Sequence, residues 1–260
     1  MTVGERALVI IATYEERENL PSLLDRVLST PDLDVLVIDD GSPDGTGEIA
    51  AARAEQERRL AVIHRPRKSG VTSAHILGFT YALEHGYDLV VEMDADFSHP
   101  PEDVPRLLEA CATADIAVGS RSVPGARLVG RSHFRNGLTR WGSAYARLLL
   151  GLSIRDCTGG FRCTRRPALE KLGLSLIRSR GYGFQLELNY AWRKAGMRFV
   201  EVPIVFADRV YGESKMSRQI LLEALLIVPR LRLGVTPVAL AAPREPAGER
   251  VAPDEGSVLT

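Results

Sequence analysis

The sequence has few cysteines and no excess charge of either sign. It contains only three cysteines among 260 residues, Cys111, Cys157 and Cys163, and their spacing is not that of metal ligands. This scarcity argues against a disulfide framework and is typical of proteins from a reducing compartment. The 33 basic residues balance the 33 acidic ones. Because no net field would recruit a polyanion, we expect no nucleic-acid partner.

A long hydrophobic run is also absent. The best apolar candidate, residues 220–228, is far shorter than the roughly 20 residues that a membrane-spanning helix needs. It is followed by Pro229 and by two arginines, Arg230 and Arg232. We therefore expect no transmembrane helix, and we expect any contact with a membrane to be peripheral.

The sequence does contain a regular alternation of Val- and Ile-rich runs with helix-length segments. The runs predict strands over 7–12, 35–38, 61–64, 89–93 and 116–118. Such alternation is typical of an α/β, Rossmann-like fold, in which helices cover both faces of a mainly parallel sheet. Further on we predict helices over 131–152 and 184–194 and a strand over 199–206. We expect residues 1–234 to form one domain and residues 235–260, rich in Pro, Ala, Glu and Gly, a disordered tail.

Two carboxylates one residue apart end one of these apolar runs. Asp94 and Asp96 follow the predicted strand 89–93, and open α/β sheets bind ligands at the carboxyl ends of their strands. Two hard oxygen ligands at such a place can hold Mg²⁺ or Mn²⁺ against a diphosphate. An isolated Asp-x-Asp pair is more often part of a solvated loop. The interpretation therefore depends on what the other strand ends carry.

Polar and aromatic residues follow three of the other predicted strands. Tyr14 offers an aromatic face to a nucleobase, and Asp40 can accept hydrogen bonds from a base or a ribose. The segment 39–46 is also strong β-turn chemistry, and both interpretations can hold together. Arg121 places a permanent cation at the same edge, although a lone arginine there would be taken as a surface residue.

Two later segments are amphipathic at helical spacing. In the segment at about 131–151, one face carries Phe134, Leu138, Trp141, Tyr145 and Leu148, interleaved with arginines. The segment at about 216–233 has a similar apolar stripe flanked by Arg218, Arg230 and Arg232. Such helices either pack against the sheet or lie at a membrane interface, with their aromatic rings at the depth of the headgroups.

Several ordered motifs together carry a family resemblance. Segments 12–21, 39–46, 93–99, 119–121 and 212–216 resemble the polyprenol (dolichol) phosphate mannose synthases of glycosyltransferase family 2. The resemblance covers about residues 7–233 and implies the GT-A fold. It implies inverting transfer of mannose from GDP-mannose to a polyprenyl phosphate. It also implies a peripheral location on the cytoplasmic face of the cell membrane, where the interfacial interpretation of both helices becomes the better one and a membrane-protein partner is possible.

The resemblance also implies roles for individual residues. The nucleotide pocket would be lined by Ala12, Tyr14, Glu16, Ile38 and Asp40. The metal and the diphosphate would be held by Asp94, Ala95 and Asp96, with Ser98 at a position where some members place a metal-contacting glutamine. Arg121 would face the sugar and both phosphates. Arg209 and Lys215 would close over the donor, and Arg135 and Thr139 would receive the lipid phosphate.

Five residues, at four places in the chain, depart from the family pattern. Ala12 stands where proline is usual, Glu15 where asparagine is common, residues 71–72 where a Leu-Gly pair is usual, and Tyr211 where some members have a second arginine. The changes at residues 12 and 71–72 would lie near the donor, so UDP-glucose or another nucleotide sugar is an alternative donor. A non-catalytic membrane-associated binding module and a nucleotidyltransferase are the competing classes, and the 12–16 turn lacks the glycine expected of the latter.

Overall fold

The structure is a computed structural model that describes residues 4–130, 132–207 and 218–242, without the side chains of residues 133–135 and 218–224. Its strands are β1 (Ala7–Thr13), β2 (Leu33–Asp39), β3 (Leu60–His64), β4 (Leu89–Asp94), β5 (Ile116–Ser120), β6 (Arg127–Val129), β7 (Arg162–Arg165), β8 (Phe199–Pro203) and β9 (Val205–Ala207). Its helices are α1 (Leu20–Leu28), α2 (Thr46–Ala54), α3 (Val71–Glu84), α4 (Val104–Ala110), α5 (His133–Leu150), α6 (Arg166–Glu170), α7 (Tyr182–Lys194) and α8 (Arg218–Arg232).

The main sheet has seven strands in the order β3-β2-β1-β4-β7-β5-β8. All of its neighbouring pairs are parallel except the two made by β7. The strand order reverses between β1 and β4, the point at which open α/β sheets form a ligand crevice. The predicted α/β fold with a mainly parallel sheet is confirmed.

Two hydrophobic layers cover the two faces of the sheet. Along β1, Leu8 and Ile10 pack into one layer while Val9 and Ile11 pack into the other. This alternation follows from the two-residue period of a strand. Because β1 is buried at six of its seven positions, it reads as one continuous apolar run, as central parallel strands do.

The second half of the chain differs in three places from the prediction. The antiparallel strand β7 inserts between β4 and β5, and its polar sequence gave no apolar run to detect. The predicted strand 199–206 divides at Ile204 into β8 of the main sheet and β9, which pairs with β6 in a second sheet. The third difference concerns the expected tail, because Ala239 is fully buried and Leu240 bridges Leu172.

The first part of the predicted tail therefore belongs to the packed domain. Residues 243–260 lie outside the described part of the chain. The two amphipathic segments do form helices, α5 and α8, and these pack against each other. Among the described residues, no helix combines the length and the apolar character that a bilayer crossing requires.

A close helix-to-sheet contact gives a stability prediction. A Cβ atom at Gly78 of α3 would lie 2.7 Å from two carbon atoms of Ile10. Ile10 is β-branched and stiff, so we expect Gly78→Ala to lower the free energy of unfolding by about 1–3 kcal/mol. Urea denaturation measures the change. The matched control is Gly142→Ala in α5, where no atom lies within 4 Å and alanine should be neutral or stabilising by up to about 1 kcal/mol. Equal stability of the two variants would contradict the packing described.

Candidate active site

A cavity of about 370 Å³ opens where β1, β2 and β4 end. The parallel register explains why, since Ala12 is aligned with Asp94 and Thr13 with Asp39. Of the residues predicted for the donor site, seven lie on its wall: Ala12, Tyr14, Glu16, Asp40, Asp94, Ala95 and Asp96. The opposite wall comes from the α3 and α7 ends and the loop before β7, through Gly70, Val71, Ala74, His75, Thr158, Gly160, Gly181, Tyr182, Phe184 and Gln185.

Asp94 and Asp96 are presented in different ways. The side chain of Asp94, at the end of β4, is 45% exposed, whereas Asp96 is buried. The backbone N–H of Ser98 donates to Oδ1 of Asp96 at 3.1 Å. Between them, Phe97 has a φ of +61°, a strained backbone conformation for a non-glycine residue. The turn therefore holds Asp96 in a fixed position at the cavity wall.

His99 supports Asp94 from behind. Its Nδ1 accepts the backbone N–H of Asp94 at 2.9 Å, so the ring proton lies on Nε2, which is 3.7 Å from Oδ2 of Asp94. Burial lowers the pKa of His99, although Asp94 and Asp96 oppose that shift. The ring also stacks on Phe161 at a centroid distance of 4.9 Å. A neutral, oriented imidazole is therefore placed beside the exposed carboxylate.

Asp94 and Asp96 carry the kind of side-chain oxygen ligands that a divalent metal site needs. Among the described residues, no group of three or more His, Cys, Asp or Glu side chains could hold a metal ion alone. Mg²⁺ and related ions are commonly bound by one or two carboxylates together with substrate phosphates and water. Asp94 and Asp96 on a cavity wall therefore fit a cation that a diphosphate helps to hold.

Asp40 fixes the loop that covers one end of the cavity. Its carboxylate accepts the backbone N–H groups of Ser69 at 2.9 Å and Gly70 at 2.7 Å. Arg65 Nη2 lies 2.6 Å from its Oδ1. Next to it, Gly41 has a φ of +71°, and a Cβ there would lie 3.1 Å from the Arg65 carbonyl oxygen. The backbone thus requires glycine at this position.

The same loop brings Lys68 over Tyr14. The ammonium nitrogen of Lys68 is 3.5 Å from the centroid of the Tyr14 ring, and both side chains line the cavity. This cation–π contact occupies the aromatic face expected to receive a nucleobase. The sequence contained no signal for Lys68, because its position depends on the folded loop.

Two predicted site residues are placed behind the cavity wall. Ile38 is fully buried and packs in the same hydrophobic layer as Leu8 and Ile10. The strand alternation turns its side chain into the core, so Ile38 would line the nucleotide pocket only through its backbone. Ser98 is also buried, and its backbone N–H donates to Asp96.

A second cavity of about 380 Å³ lies beside α5 and the small sheet. It is lined by Arg121, Ala126, Leu128, Asn136, Gly137 and Arg140. Arg121, expected to face the sugar and both phosphates, lies on this second wall. Its Nη2 donates to Thr158 Oγ1 at 3.0 Å, and Thr158 lines the first cavity. One hydrogen-bonded pair therefore separates the two cavities.

Asp156 holds Arg121 in place. The guanidinium donates from Nε and Nη2 to the two oxygens of Asp156, each at 2.7 Å, and both residues are buried. Burial alone would raise the pKa of Asp156, but the Arg121 charge and its hydrogen bonds bring that pKa below its usual value. Burial alone would lower the pKa of Arg121, but the Asp156 charge and its hydrogen bonds raise that pKa above its usual value. The pair is fully ionised.

A second buried ion pair lies beneath the first cavity. Arg162 Nε is 3.1 Å from Oε2 of Glu92, and neither side chain is exposed. Burial raises the pKa of Glu92 to about 7, against the opposing effect of Arg162. His75 Nδ1 lies 3.5 Å from Glu92, but burial and Arg162 lower the pKa of His75 to about 3. His75 is therefore a neutral residue at the cavity wall, and its contact with Glu92 is not an ion pair.

Three of the remaining predicted residues have no described side-chain position. Arg209 and Lys215 lie outside the described residues, and so does the side chain of Arg135. Thr139 is described on α5, half-buried and one position before Arg140. Sequence reasoning missed Asp156 and Thr158, because their contacts with Arg121 join distant parts of the sequence. It also missed a role for His99, whose contact with Asp94 depends on how the turn at residues 94–99 folds.

Comparisons with known proteins agree with this arrangement. Residues 8–173 match the model of the glycosyl transferase family 2. The undecaprenyl-phosphate mannosyltransferase of Micrococcus luteus is 49% identical over 226 residues, covering 86% of this chain and 93% of that protein. The polyprenol monophosphomannose synthase of Mycolicibacterium smegmatis is 47% identical over 228 residues, covering 86% of each.

Solved structures share the fold at low sequence identity. Glucosyl-3-phosphoglycerate synthase from Mycobacterium tuberculosis, in complex with Mn²⁺, UDP and glucosyl-3-phosphoglycerate, has a TM-score of 0.63 at 20% identity over 87% of this chain and 81% of that one. A mannosyltransferase from Pyrobaculum calidifontis, in complex with GDP-Man and Mn²⁺, has a TM-score of 0.52 at 18% identity over 92% of this chain and 76% of that one. The family match and the two relatives show that the chain belongs to glycosyl transferase family 2 and, within it, to the polyprenol-phosphate mannose synthases.

Proposed function

We propose that this protein transfers mannose from GDP-mannose to the phosphate of a polyprenyl phosphate, with inversion at the anomeric carbon. One observation carries the proposal. An acidic cavity bearing Asp94 and Asp96 adjoins a basic cavity bearing Arg121 and Arg140, and the Arg121–Thr158 hydrogen bond separates them. A reaction between a sugar diphosphate and a phosphate monoester needs such a pair of neighbouring sites. The names of the relatives in Micrococcus luteus and Mycolicibacterium smegmatis support mannose as the transferred sugar and a polyprenyl phosphate as its acceptor.

The first cavity suits the donor. Asp94 and Asp96 would hold a divalent cation, Mg²⁺ or Mn²⁺, which when bound would neutralise charge on the leaving diphosphate. Tyr14 would contact the nucleobase of the donor. Lys68, on the loop that Asp40 fixes, would contact it as well. His99 keeps the Asp94 carboxylate oriented through the contacts at its two ring nitrogens. Arg209 and Lys215, which follow β9 in the sequence, would add positive charge to the donor site.

The second cavity suits the acceptor phosphate. Arg121 and Arg140 supply two permanent cations, and Arg135 and Thr139 lie on the same helix as Arg140. Guanidinium groups bind phosphate oxygens with paired hydrogen bonds. The exposed apolar side chains of α5 lie farther along the helix, at Trp141, Leu148 and Leu149. The lipid chain would leave the cavity along that helix toward the membrane.

The chemistry asked of the protein is mainly electrostatic. A phosphate monoester has a second pKa near about 6, so the acceptor is already an oxyanion at neutral pH and needs little help from a general base. The protein must hold two anions close together and aim the acceptor oxygen at the anomeric carbon. Attack from the side opposite the leaving group gives inversion in one displacement and leaves no covalent sugar on the enzyme.

The donor sugar nucleotide is the least constrained part of the proposal. Ala12 and Val71, which depart from the family pattern, both line the first cavity. Because these two residues would touch the donor, UDP-glucose or another nucleotide sugar is a second candidate donor. Incubation with polyprenyl phosphate and each labelled nucleotide sugar, followed by counting of label in the organic phase, decides between them. A UDP donor preferred over GDP-mannose would select the alternative.

We also propose that α5 and α8 dock on the cytoplasmic leaflet. Trp141, Leu148 and Leu226 are 57%, 83% and 46% exposed, and Leu233 and Val235 just after α8 are exposed too. The Tyr145 hydroxyl donates to the Leu225 carbonyl at 3.2 Å, which joins the two helices. Exposed apolar residues on two packed helices with arginines around them suit peripheral binding to anionic lipid. A membrane-protein partner would meet the protein at the same surface.

Removal of the metal-holding carboxylate tests the catalytic part. We expect Asp96→Asn to lower the rate of lipid mannosylation by about a hundredfold or more, because a bound cation contributes several kcal/mol to the transition state. A chelator should abolish wild-type activity, and added Mn²⁺ or Mg²⁺ should restore it. Glu109→Gln, on α4, is the control for charge removal and should retain full activity. Undiminished turnover of Asp96→Asn in chelator would refute the assignment.

Substitution of the exposed apolar residues tests membrane docking. In flotation with liposomes that contain anionic lipid, we expect the double variant Trp141→Ser/Leu148→Ser to lose tenfold or more of its binding. Each buried side chain of this size is worth about 1.5–3 kcal/mol. The control is Leu176→Ser, which removes an exposed leucine from a different part of the chain. Equal flotation of the double variant and the wild type would exclude α5 as the docking helix.

A further inference from the structure

We propose that Asp156 is a positioning residue that orients Arg121 toward the acceptor phosphate, and that Glu201 in turn positions Asp156. The inference rests on the proposed transfer to a lipid phosphate. It concerns residues that the motif pattern did not single out, on the loop before β7 and on β8. The side chains of Asp156 and Arg121 are 0% and 8% exposed, so the surrounding packed residues restrict both side chains to this contact.

The geometry of the pair determines which edge of the guanidinium is free. Nε and Nη2 donate to the two oxygens of Asp156, and the second hydrogen of Nη2 is directed to Thr158 Oγ1. Arginine carries five N–H donors in a rigid plane, so these contacts leave the two on Nη1. Within the described part of the chain, no residue accepts a hydrogen bond from Nη1. Because Arg121 lines the second cavity, the free edge is available to a ligand there.

Asp156 also couples the side chain to the strand that carries it. The backbone N–H of Arg121 donates to Asp156 Oδ2 at 2.9 Å, so one carboxylate binds both the backbone and the side chain of Arg121. Phe206 packs against the guanidinium at 5.1 Å from the ring centroid. The arginine is therefore held at its backbone, at its edge and at its face. A swing of the guanidinium into the first cavity would break the bidentate pair in a buried setting.

Glu201 fixes the loop from which Asp156 projects. Its carboxylate accepts the backbone N–H of Arg155 at 2.7 Å and of Asp156 at 3.0 Å. Glu201 lies in the middle of β8, which pairs with β5 in the register Val118 to Glu201. Glu201 on β8 thus positions the loop with Asp156, and Asp156 positions Arg121 at the end of β5. Functional groups held from strands keep their geometry better than groups held from loops alone.

The inference makes an asymmetric kinetic prediction. If Asp156 orients Arg121 toward the acceptor, Asp156→Asn should raise the KM for polyprenyl phosphate by about tenfold while changing the KM for the sugar nucleotide by less than about twofold. Glu201→Gln should change the same constant in the same direction by a smaller factor. Glu5→Gln is the matched control, since Glu5 pairs with Arg165 at 2.8 Å before β1, at the other end of the sheet. It should leave both constants unchanged.

A double-mutant cycle separates positioning from general destabilisation. Asp156→Asn should cost little further activity when Arg121 is already Gln, because a residue that acts through Arg121 has nothing left to orient. Additive losses, or equal increases in both KM values, would overturn the positioning role. Thermal unfolding identifies a variant that fails to fold. If Asp156→Asn fails to fold, the same cycle with Glu201→Gln in its place tests the positioning role. Wild-type protein that labels no lipid with any donor would instead refute the proposed function itself.

Discussion

The bidentate ion pair between Arg121 and Asp156 is the interaction on which the two-cavity arrangement depends. A guanidinium in the interior is tolerated only when its donors are matched, since an unpaired buried charge is very costly. Matching it requires the end of β5, the loop before β7 and the middle of β8 to meet at one place. The hydrogen bond to Thr158 then forms the partition between the two cavities.

The second buried ion pair extends the same principle beneath the donor cavity. Arg162 lies on β7, the antiparallel strand, and its partner Glu92 lies on β4 two residues before Asp94. Arg162 also donates to Asn189 and Gln185 on α7. Together these contacts join the strand that carries Asp94 to the opposite wall of the cavity. The polar interior thereby ties together elements that hydrophobic packing alone would leave less exactly aligned.

The parts of the fold that could be predicted are those that depend on local sequence. Strands β1 to β5 were detectable because each is a short apolar run, and parallel alignment then brought Tyr14, Asp40 and Asp94 to one edge. Strand β7 has the sequence Arg-Cys-Thr-Arg and shows no apolar run. Its place between β4 and β5 is a consequence of pairing with distant strands, which no local pattern encodes.

The same distinction separates the predicted from the unpredicted site residues. The residues of the motifs were found because they directly follow strands, whereas Asp156 and His99 are recognisable only through their partners. The side chain of Ile38 points to the core, as the two-residue period of β2 dictates, which the motif pattern alone did not indicate. Lys68 reaches Tyr14 only because Asp40 folds back the intervening loop. The wall of the donor cavity is equally non-local, since Ala12 and Val71 come from different elements.

The anomeric configuration of the product tests the central claim most directly. The claim is a single displacement between a donor in the acidic cavity and a phosphate in the basic one. Purified protein should convert GDP-mannose, in which mannose is α-linked, and a short polyprenyl phosphate into a β-linked mannosyl phosphate, identified by the one-bond C–H coupling of the anomeric carbon in NMR. An α-linked product, or a product carrying no mannose on the lipid phosphate, would contradict the account.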